Sequence, residues 1–327
     1  MSKQLELVQF PKINHIRILV NEISYRNPHL HKEFELLMVL KGHGQFVING
    51  AECKCEEGDI YLIGSHDIHS ISATPLPDGT LDLDNIPVFL ILQISNHFLL
   101  NYFPQIRTTM FKSVKLNDIL PGDRASIVSQ LLRDSALSYF KQEKYYQITL
   151  VSEISQVMAY LYKYCDHEIV SEIEKEKIKK KSNRLERIVS YIDLNYANHI
   201  RLEDIASEED LSVTHFSHLF SSYFGVTFQE YVNLRRMESA IRLMENNEKS
   251  LLEISYESGF SDPKYMTKMF IKKFGCTPKA YRKEHMSADG ATSAKTYTTE
   301  EKESIYSPIE SIKVLEEYEV AKNTDQQ

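Results

Sequence analysis

Along the first ~75 residues, apolar side chains fall in short runs separated by turn-forming residues, a pattern of strands rather than helices. Phe34 to Leu40 is one such run, and Lys41-Gly42-His43-Gly44 turns it into Gln45 to Ile48. Asn49-Gly50 is a hairpin signal, because a type I′ turn needs positive φ at both central positions. Glu57-Gly58-Asp59 turns the chain again before Ile60 to Ile63; Ser70 to Ser72 and Val88 to Ile94 continue the series. Many short strands at this spacing predict a small antiparallel β-barrel or jelly roll.

After Pro121 the period becomes helical. Ile127, Leu131, Leu132 and Ser135 recur at three and four, as do Ile148, Ile154, Val157, Leu161 and Cys165 with gaps. Such a helix pair either packs on the barrel or forms a dimer surface. Glu168 to Lys181 is charged, with five lysines from Lys175 onward, and reads as a solvated helical linker or as a nucleic-acid tail. Asn183 to His285 is helical throughout, Ser287 to Glu301 is a polar linker, and Ile305, Ile309, Ile312 and Leu315 fit one short amphipathic helix. The expected class is therefore α+β and multidomain. Residues 1–166 form a small barrel with appended helices and 167–182 a charged linker. Residues 183–286 form an all-α module, and 287–327 a polar tail with a short helix.

The helical module repeats itself. Leu202-Glu203 matches Leu252-Glu253 at an offset of fifty, and Phe220, Phe224, Gly225, Thr227 and Tyr231 match Phe270, Phe274, Gly275, Thr277 and Tyr281. Each copy reads as a short helix, a turn and a second helix. In the first, Ser212 caps a helix burying Phe216, Leu219, Phe220 and Phe224, and Gly225 stops it as a left-handed C-cap. In the second, Ser261 or Asp262 is the cap, Pro263 starts the helix, and Tyr265, Met266, Met269, Phe270 and Phe274 face inward. Phe228 to Asn246 lies between the copies as a helix of ~28 Å, the scale needed to set two recognition helices in successive major grooves.

Gly259 to Arg282 (GFSDPKYMTKMFIKKFGCTPKAYR) resembles the signature of AraC-type transcription regulators, and Asn183 to Glu284 resembles their DNA-binding domain. Met266 stands where the family usually has phenylalanine, and Ile271 where it usually has lysine. The resemblance implies a double helix–turn–helix that reads double-stranded DNA. The side chains off the apolar faces are the candidate contacts: Thr214, His215, Ser217, His218 and Ser221 on the first recognition helix, and Pro263, Lys264, Thr267, Lys268 and Lys272 on the second. Lysine donates to guanine O6/N7 or neutralises phosphate.

Net charge is −8, from 38 Lys+Arg and 46 Asp+Glu, which at first sight argues against nucleic acid. The total is the wrong quantity, because counterion release depends on local contacts. The helical module is near neutral and its lysines gather around the second copy, whereas the stretch after Glu284 alone carries −5. Four cysteines have neither zinc spacing nor a disulfide framework, and the longest apolar run, Pro87 to Ile94, is too short to span a bilayer. These features, with a start lacking the apolar core of a secretory signal, predict a cytoplasmic protein without membrane contact.

His29, His31, Glu33 and Glu35 share parity, so on a regular strand all four face one way. The spacing His29-x-His31, Glu35, Gly42 resembles the first cupin motif, and Gly58, Gly64, His69 the second, with Gly64 and His66 departing from it. His29, His31, Glu35 and His69 are the candidate effector residues, with Glu33 as competitor to Glu35. Three readings stay open: a polar ligand held by hydrogen bonds, a divalent metal, or structural histidines. The family resemblance favours the first, a cupin-like sensor for a sugar or another small polar effector, with no cofactor required. The expected function is a ligand-responsive, DNA-binding regulator, not an enzyme, acting as a homodimer; activation or repression stays open. The rival classes are a cupin metalloenzyme with a helical appendage and a constitutive DNA-binding protein.

Overall fold

A computed structural model describes residues 13–74, 82, 85–224, 226–245, 249–274, 276–285 and 302–324. The chain divides into two compact units. Among the described residues, one holds 13–74, 85–182 and 302–324, and the other holds the helical stretch from 183 to 285.

The first unit is a curled antiparallel sheet with helices on one face. Its strands are β1 (Ile16–His29), β2 (Phe34–Lys41), β3 (His43–Ile48), β4 (Ala51–Glu56), β5 (Ile60–Ile63), β6 (His69–Ala73), β7 (Val88–Ile94), β8 (Thr109–Phe111) and β9 (Val114–Lys115). The hydrogen-bonded order is β4-β3-β6-β1-β7-β2-β5-β9. Asn49 and Gly50 both have positive φ (49° and 81°), the type I′ requirement, and they close the β3–β4 hairpin. The β2 and β7 runs are apolar at nearly every position because both of their faces are covered. On one face Ile18, Leu36, Met38, Leu90 and Leu92 join a core with the helices. On the concave face Leu37, Val39, Phe46, Tyr61, Phe89 and Ile91 fill the interior, the Phe46 ring lying 4.8 Å from Tyr61 and 5.5 Å from Phe89.

The helices of this unit are α1 (Leu116–Ile119), α2 (Arg124–Lys141) and α3 (Tyr146–Tyr164). α2 buries Val128, Leu132, Ser135, Ala136 and Tyr139, and α3 buries Leu150, Ile154, Val157, Met158 and Leu161. Ile148 does not belong to the inner stripe: it is 73% exposed, and Leu150 takes the first inward position. Within the charged linker, β10 (His167–Ile169) pairs with β8, and α4 (Glu172–Asn195) then runs past the unit boundary at Ser182.

The end of the chain corrects the expected division at 287–327, which set a polar tail with a short helix apart from the barrel. β11 (Lys302–Ile305) adds to the edge of β1, and α11 (Pro308–Thr324) places Leu315 and Tyr318 in the sheet–helix core. Residues 302–324 are thus part of the barrel unit. The polar linker from Ser287 to Glu301 lies outside the described residues.

The second unit comprises the end of α4, α5 (Leu202–Glu208), α6 (Val213–Phe224), α7 (Phe228–Glu245), α8 (Leu251–Glu257), α9 (Pro263–Phe274) and α10 (Pro278–His285). The repeat is present in a more exact register than offset fifty alone. α5 and α8 correspond at forty-nine: Ile205 with Ile254, Ala206 with Ser255, and the positive-φ Asp210 with Gly259. The Leu211 N–H to Ala206 carbonyl bond likewise matches Phe260 N–H to Ser255 carbonyl. α6 and α9 correspond at fifty, so the second turn holds one extra residue. Gly225 and Gly275 lie outside the described residues, and with Gly225 so does its predicted C-cap.

Candidate effector pocket and nucleic-acid interface

The histidines do not share one regular strand. β1 ends at His29, residues 30–33 turn, and Glu35 lies in β2. The cluster forms nonetheless, by three local devices. The β1–β6 register shifts between Arg26 and His29, which sets His29 opposite His69. The His66 N–H donates to the His31 carbonyl at 2.8 Å, joining the two loops. Strand alternation then turns Glu35 to the concave face beside Leu37 and Val39. Glu33 turns away half-buried, and burial pushes its carboxyl above the usual range, so Glu35 is the carboxylate of the cluster.

The His29 and His69 rings stand 4.1 Å apart, and those of His31 and His69 5.2 Å. His31 Nε2 lies 2.5 Å from Glu35 Oε2, and His69 Nε2 lies 3.9 Å from Glu35 Oε1. Gln93 Nε2 donates to Glu35 Oε2 at 2.9 Å. His31 Nδ1 lies 3.0 Å from the Glu33 carbonyl and His69 Nδ1 3.1 Å from that of Asp67. A carbonyl only accepts, so both Nδ1 atoms carry hydrogen and both Nε2 atoms point into the cluster. Burial alone would raise the Glu35 carboxyl, but the charge and hydrogen bond of His31, with His69 and Arg26, hold it far below the usual range. Burial pushes the His69 imidazole down to about 4 despite Glu35, leaving it neutral at pH 7.

One ligand atom from each of His29, His31 and His69 falls within a 4.8 Å group, a separation that suits one cation. His69 Nε2 has no hydrogen-bond partner among the described residues, as a metal-ready donor requires. Room for a larger molecule lies elsewhere in the unit, at a seam that the sequence did not reveal. A cleft of about 740 Å³ is lined by Tyr61, Ser65, Asp67, Lys112, Ser113 and Lys115, among others. It touches the cluster through Asp67, whose side chain accepts from Ser113 at 2.5 Å and whose carbonyl holds His69. No sequence pattern signals it, because its walls come from segments fifty residues apart.

In the second unit, the Ser212 hydroxyl accepts from the His215 N–H at 3.2 Å, capping α6. Asp262, not Ser261, caps α9, accepting from the Lys264 N–H at 2.7 Å. With both helices phased by their caps, Phe216, Leu219, Phe220 and Phe224 face inward on α6, as do Met266 and Phe270 on α9. The opposite faces carry the predicted contacts. Thr214, His215, Ser217, His218, Lys264, Lys268 and Lys272 are exposed, and Ser221, Pro263 and Thr267 are half-buried. Two hydroxyls already donate to their own helices, Ser221 to the Ser217 carbonyl at 2.8 Å and Thr267 to that of Pro263 at 3.1 Å, and keep only acceptor capacity. Tyr265 corrects the expected inward set: it is 57% exposed, with Lys268 Nζ 5.8 Å from its ring, and belongs to the outer face. Arg282 donates to the Lys249 carbonyl at 2.7 Å.

A sheet unit with an interior polar cluster, followed by two capped helix–turn–helix units, defines a sensor joined to a DNA reader. The family model of the AraC-like ligand-binding domain matches residues 16–79, and that of a helix–turn–helix domain matches residues 205–284. The chain is similar to YdeC of Bacillus subtilis (strain 168), an uncharacterised HTH-type transcriptional regulator. Identity is 26% over 267 residues, covering 78% of this chain and 85% of that protein. The regulatory protein PocR of Salmonella typhimurium is 37% identical over 102 residues, 31% of this chain and 34% of its own length. The HTH-type transcriptional regulator ExsA of Pseudomonas aeruginosa is 35% identical over 102 residues, 31% of this chain and 37% of its own length. The two matched domains are those of AraC-type transcription regulators, which join a ligand-binding domain to a helix–turn–helix DNA-binding domain, and this chain carries both.

Proposed function

We propose that this regulator is cytoplasmic and answers a small polar effector through its barrel unit while α6 and α9 read base edges of double-stranded DNA. The observation that carries the reading is the phase of the two capped helices, which turns their aromatic faces inward and leaves Thr214, His215, Ser217 and His218 on one, and Lys264, Lys268 and Lys272 on the other, in solvent. α7 separates them by eighteen residues, about 27 Å of helix, on the scale of successive major grooves. No helix among the described residues is long and apolar enough to cross a membrane. On α3, Tyr145, at its N-cap, and Ile148 and Val151 are exposed apolar groups that support a homodimer surface.

The effector residues are His29, His31, Glu35 and His69, with the adjoining cleft as the space for a carbohydrate or similar molecule. A second reading is favoured by one observation: three imidazole donors within 4.8 Å suit a divalent cation better than an organic group. The test has two arms. Full-length protein is used to select duplexes from a random pool, and Lys264→Ala and Lys268→Ala each weaken binding to the selected duplex. Indifference of both variants would remove α9 from the interface. Thermal-shift screening with carbohydrates, against zinc and nickel ions, separates the two pocket readings, and Glu35→Gln abolishes whichever shift is found.

A further inference from the structure

α9 leaves two large apolar side chains in solvent among its lysines: Tyr265 is 57% exposed and Ile271 49%. Single exposed apolar residues are common on protein surfaces and need no ligand. Ile271 differs by where it stands. The helix is phased by its cap at Asp262 and by Met266 and Phe270, which are buried. With about 100° of turn per residue, Lys268 points directly away from that pair, and Tyr265 and Ile271 flank it at about 60° to either side. Ile271 is thus part of the outward face, one helical turn beyond Thr267 and beside Lys268.

The repeat agrees. α6 and α9 correspond at an offset of fifty, so Ile271 matches Ser221, one of the candidate contacts of the first recognition helix. Where one copy carries a small hydroxyl, the other carries a branched hydrocarbon with no hydrogen-bonding capacity. Lys268 does not cover it: its Nζ lies 5.8 Å from the Tyr265 ring, which draws its aliphatic stem to the side away from Ile271.

Base edges in the major groove offer donors, acceptors and one hydrocarbon group, the C5-methyl of thymine. Lysine answers acceptors, and an aliphatic side chain answers the methyl. We infer, on the reading of α9 as a recognition helix, that Ile271 is a specificity-determining residue that packs against the C5-methyl group of a thymine beside the base met by Lys268. Three residues of helix advance about 4.5 Å, and a base-pair step is about 3.4 Å, so the thymine falls one or two steps from that base. The χ1 of a β-branched side chain is stiff, so little rotamer freedom is lost on contact. The lysine usual in AraC-type regulators at this place would add charge toward phosphate, which binds every sequence alike; isoleucine exchanges that general attraction for a preference at one base pair.

The test removes single methyl groups from the DNA. Full-length protein selects a duplex from a random pool, and each thymine of that duplex is replaced in turn by deoxyuridine, which differs only in lacking the C5-methyl. Binding is followed by fluorescence anisotropy. One replacement, within two steps of the position whose preference Lys268→Ala relaxes, weakens binding by the unsubstituted protein about fourfold, the worth of one buried methyl group. Ile271→Ala binds the thymine and deoxyuridine forms of that duplex equally. A duplex in which no deoxyuridine replacement weakens binding overturns the proposal, with no variant needed. So does a methyl effect that persists undiminished in Ile271→Ala. If Lys264→Ala and Lys268→Ala bind the selected duplex as well as the unsubstituted protein does, the recognition-helix reading falls and takes this assignment with it. If those variants bind weakly while every thymine is indifferent to loss of its methyl, the assignment of Ile271 alone is refuted.

Discussion

The backbone of Ala197 closes on Gly259 so tightly that a Cβ at Gly259 would stand 2.6 Å from the Ala197 Cα, and Gly259 itself has φ of +88°. The turn of the second helix–turn–helix therefore packs on the loop after α4, the same loop whose Tyr196 and Asn198 carbonyls accept from Arg236 of α7 at 2.7 and 2.9 Å. The second copy and the helix between the copies thus meet at this loop.

Gly259→Ala adds a methyl group where there is no space, in a backbone conformation that L-residues adopt at a cost of about 1–2 kcal/mol. The expected loss exceeds about 2 kcal/mol in the DNA-reading unit, read by urea unfolding. Asp210→Gly, at the corresponding turn of the first copy, relieves strain at φ of 53° and is neutral or stabilising in the same assay.

Lys268 and Lys272 lie four residues apart on α9 and are separable by salt. If Lys268 meets a base, Lys268→Ala costs about 1–3 kcal/mol on the selected duplex and relaxes preference at one position. If Lys272 meets phosphate, Lys272→Ala weakens all duplexes alike and lowers the salt slope by about 1. Fluorescence anisotropy over a salt series, on selected and scrambled duplexes, distinguishes the two; identical profiles would contradict the assigned roles.

In the pocket, Glu35 and His31 are 0% and 1% exposed at the side chain, so each needs the other. His31→Ala leaves a buried carboxylate short of its main partner and destabilises the sensor unit by about 3–5 kcal/mol. Glu35→Gln with His31→Ala is less damaging than His31→Ala alone, because no charge is then stranded. Equal losses in both, measured by denaturant midpoint, would mean that the pair carries no ionic character.

The pH dependence has a definite sign at α3. Burial and the neighbouring Asp134 push the Glu153 carboxyl up to about 7. The folded state thus binds a proton more readily than the unfolded state, and the stability it lends is present below about pH 4.5 and is lost as pH rises toward 7. Glu153→Gln removes that loss, raising the melting temperature at pH 8 by about 2–4 °C while leaving pH 5 nearly unchanged. A variant that tracks the unsubstituted protein across the whole pH range contradicts this.

The strands that could be read from sequence were those whose surroundings are uniform. β2 and β7 are apolar along their length since both faces are covered, and β5 was delimited by its turn residues. β1 was not delimited, although it is the longest strand, because Asn21, Ser24 and Arg26 interrupt its apolar pattern. Two of those, Asn21 and Arg26, are buried against Glu303, a partner some 280 residues away in sequence, which no local window contains. Ile148 and Tyr265 were assigned inward from periodicity, yet the start of α3 and the cap of α9 fix a phase that turns both outward.

The sequence by itself determined the two-module organisation, the helix–turn–helix repeat and the residue types of the pocket, because caps, turn glycines and periodicity act over a few residues. Only the tertiary structure decided which carboxylate joins the histidines, since a turn at 30–33 and a register shift in β1 override simple parity. It alone decided that the last segment belongs to the sensor. Strand pairing and an ion pair across the length of the chain depend on what the fold brings together, not on what neighbours what in sequence.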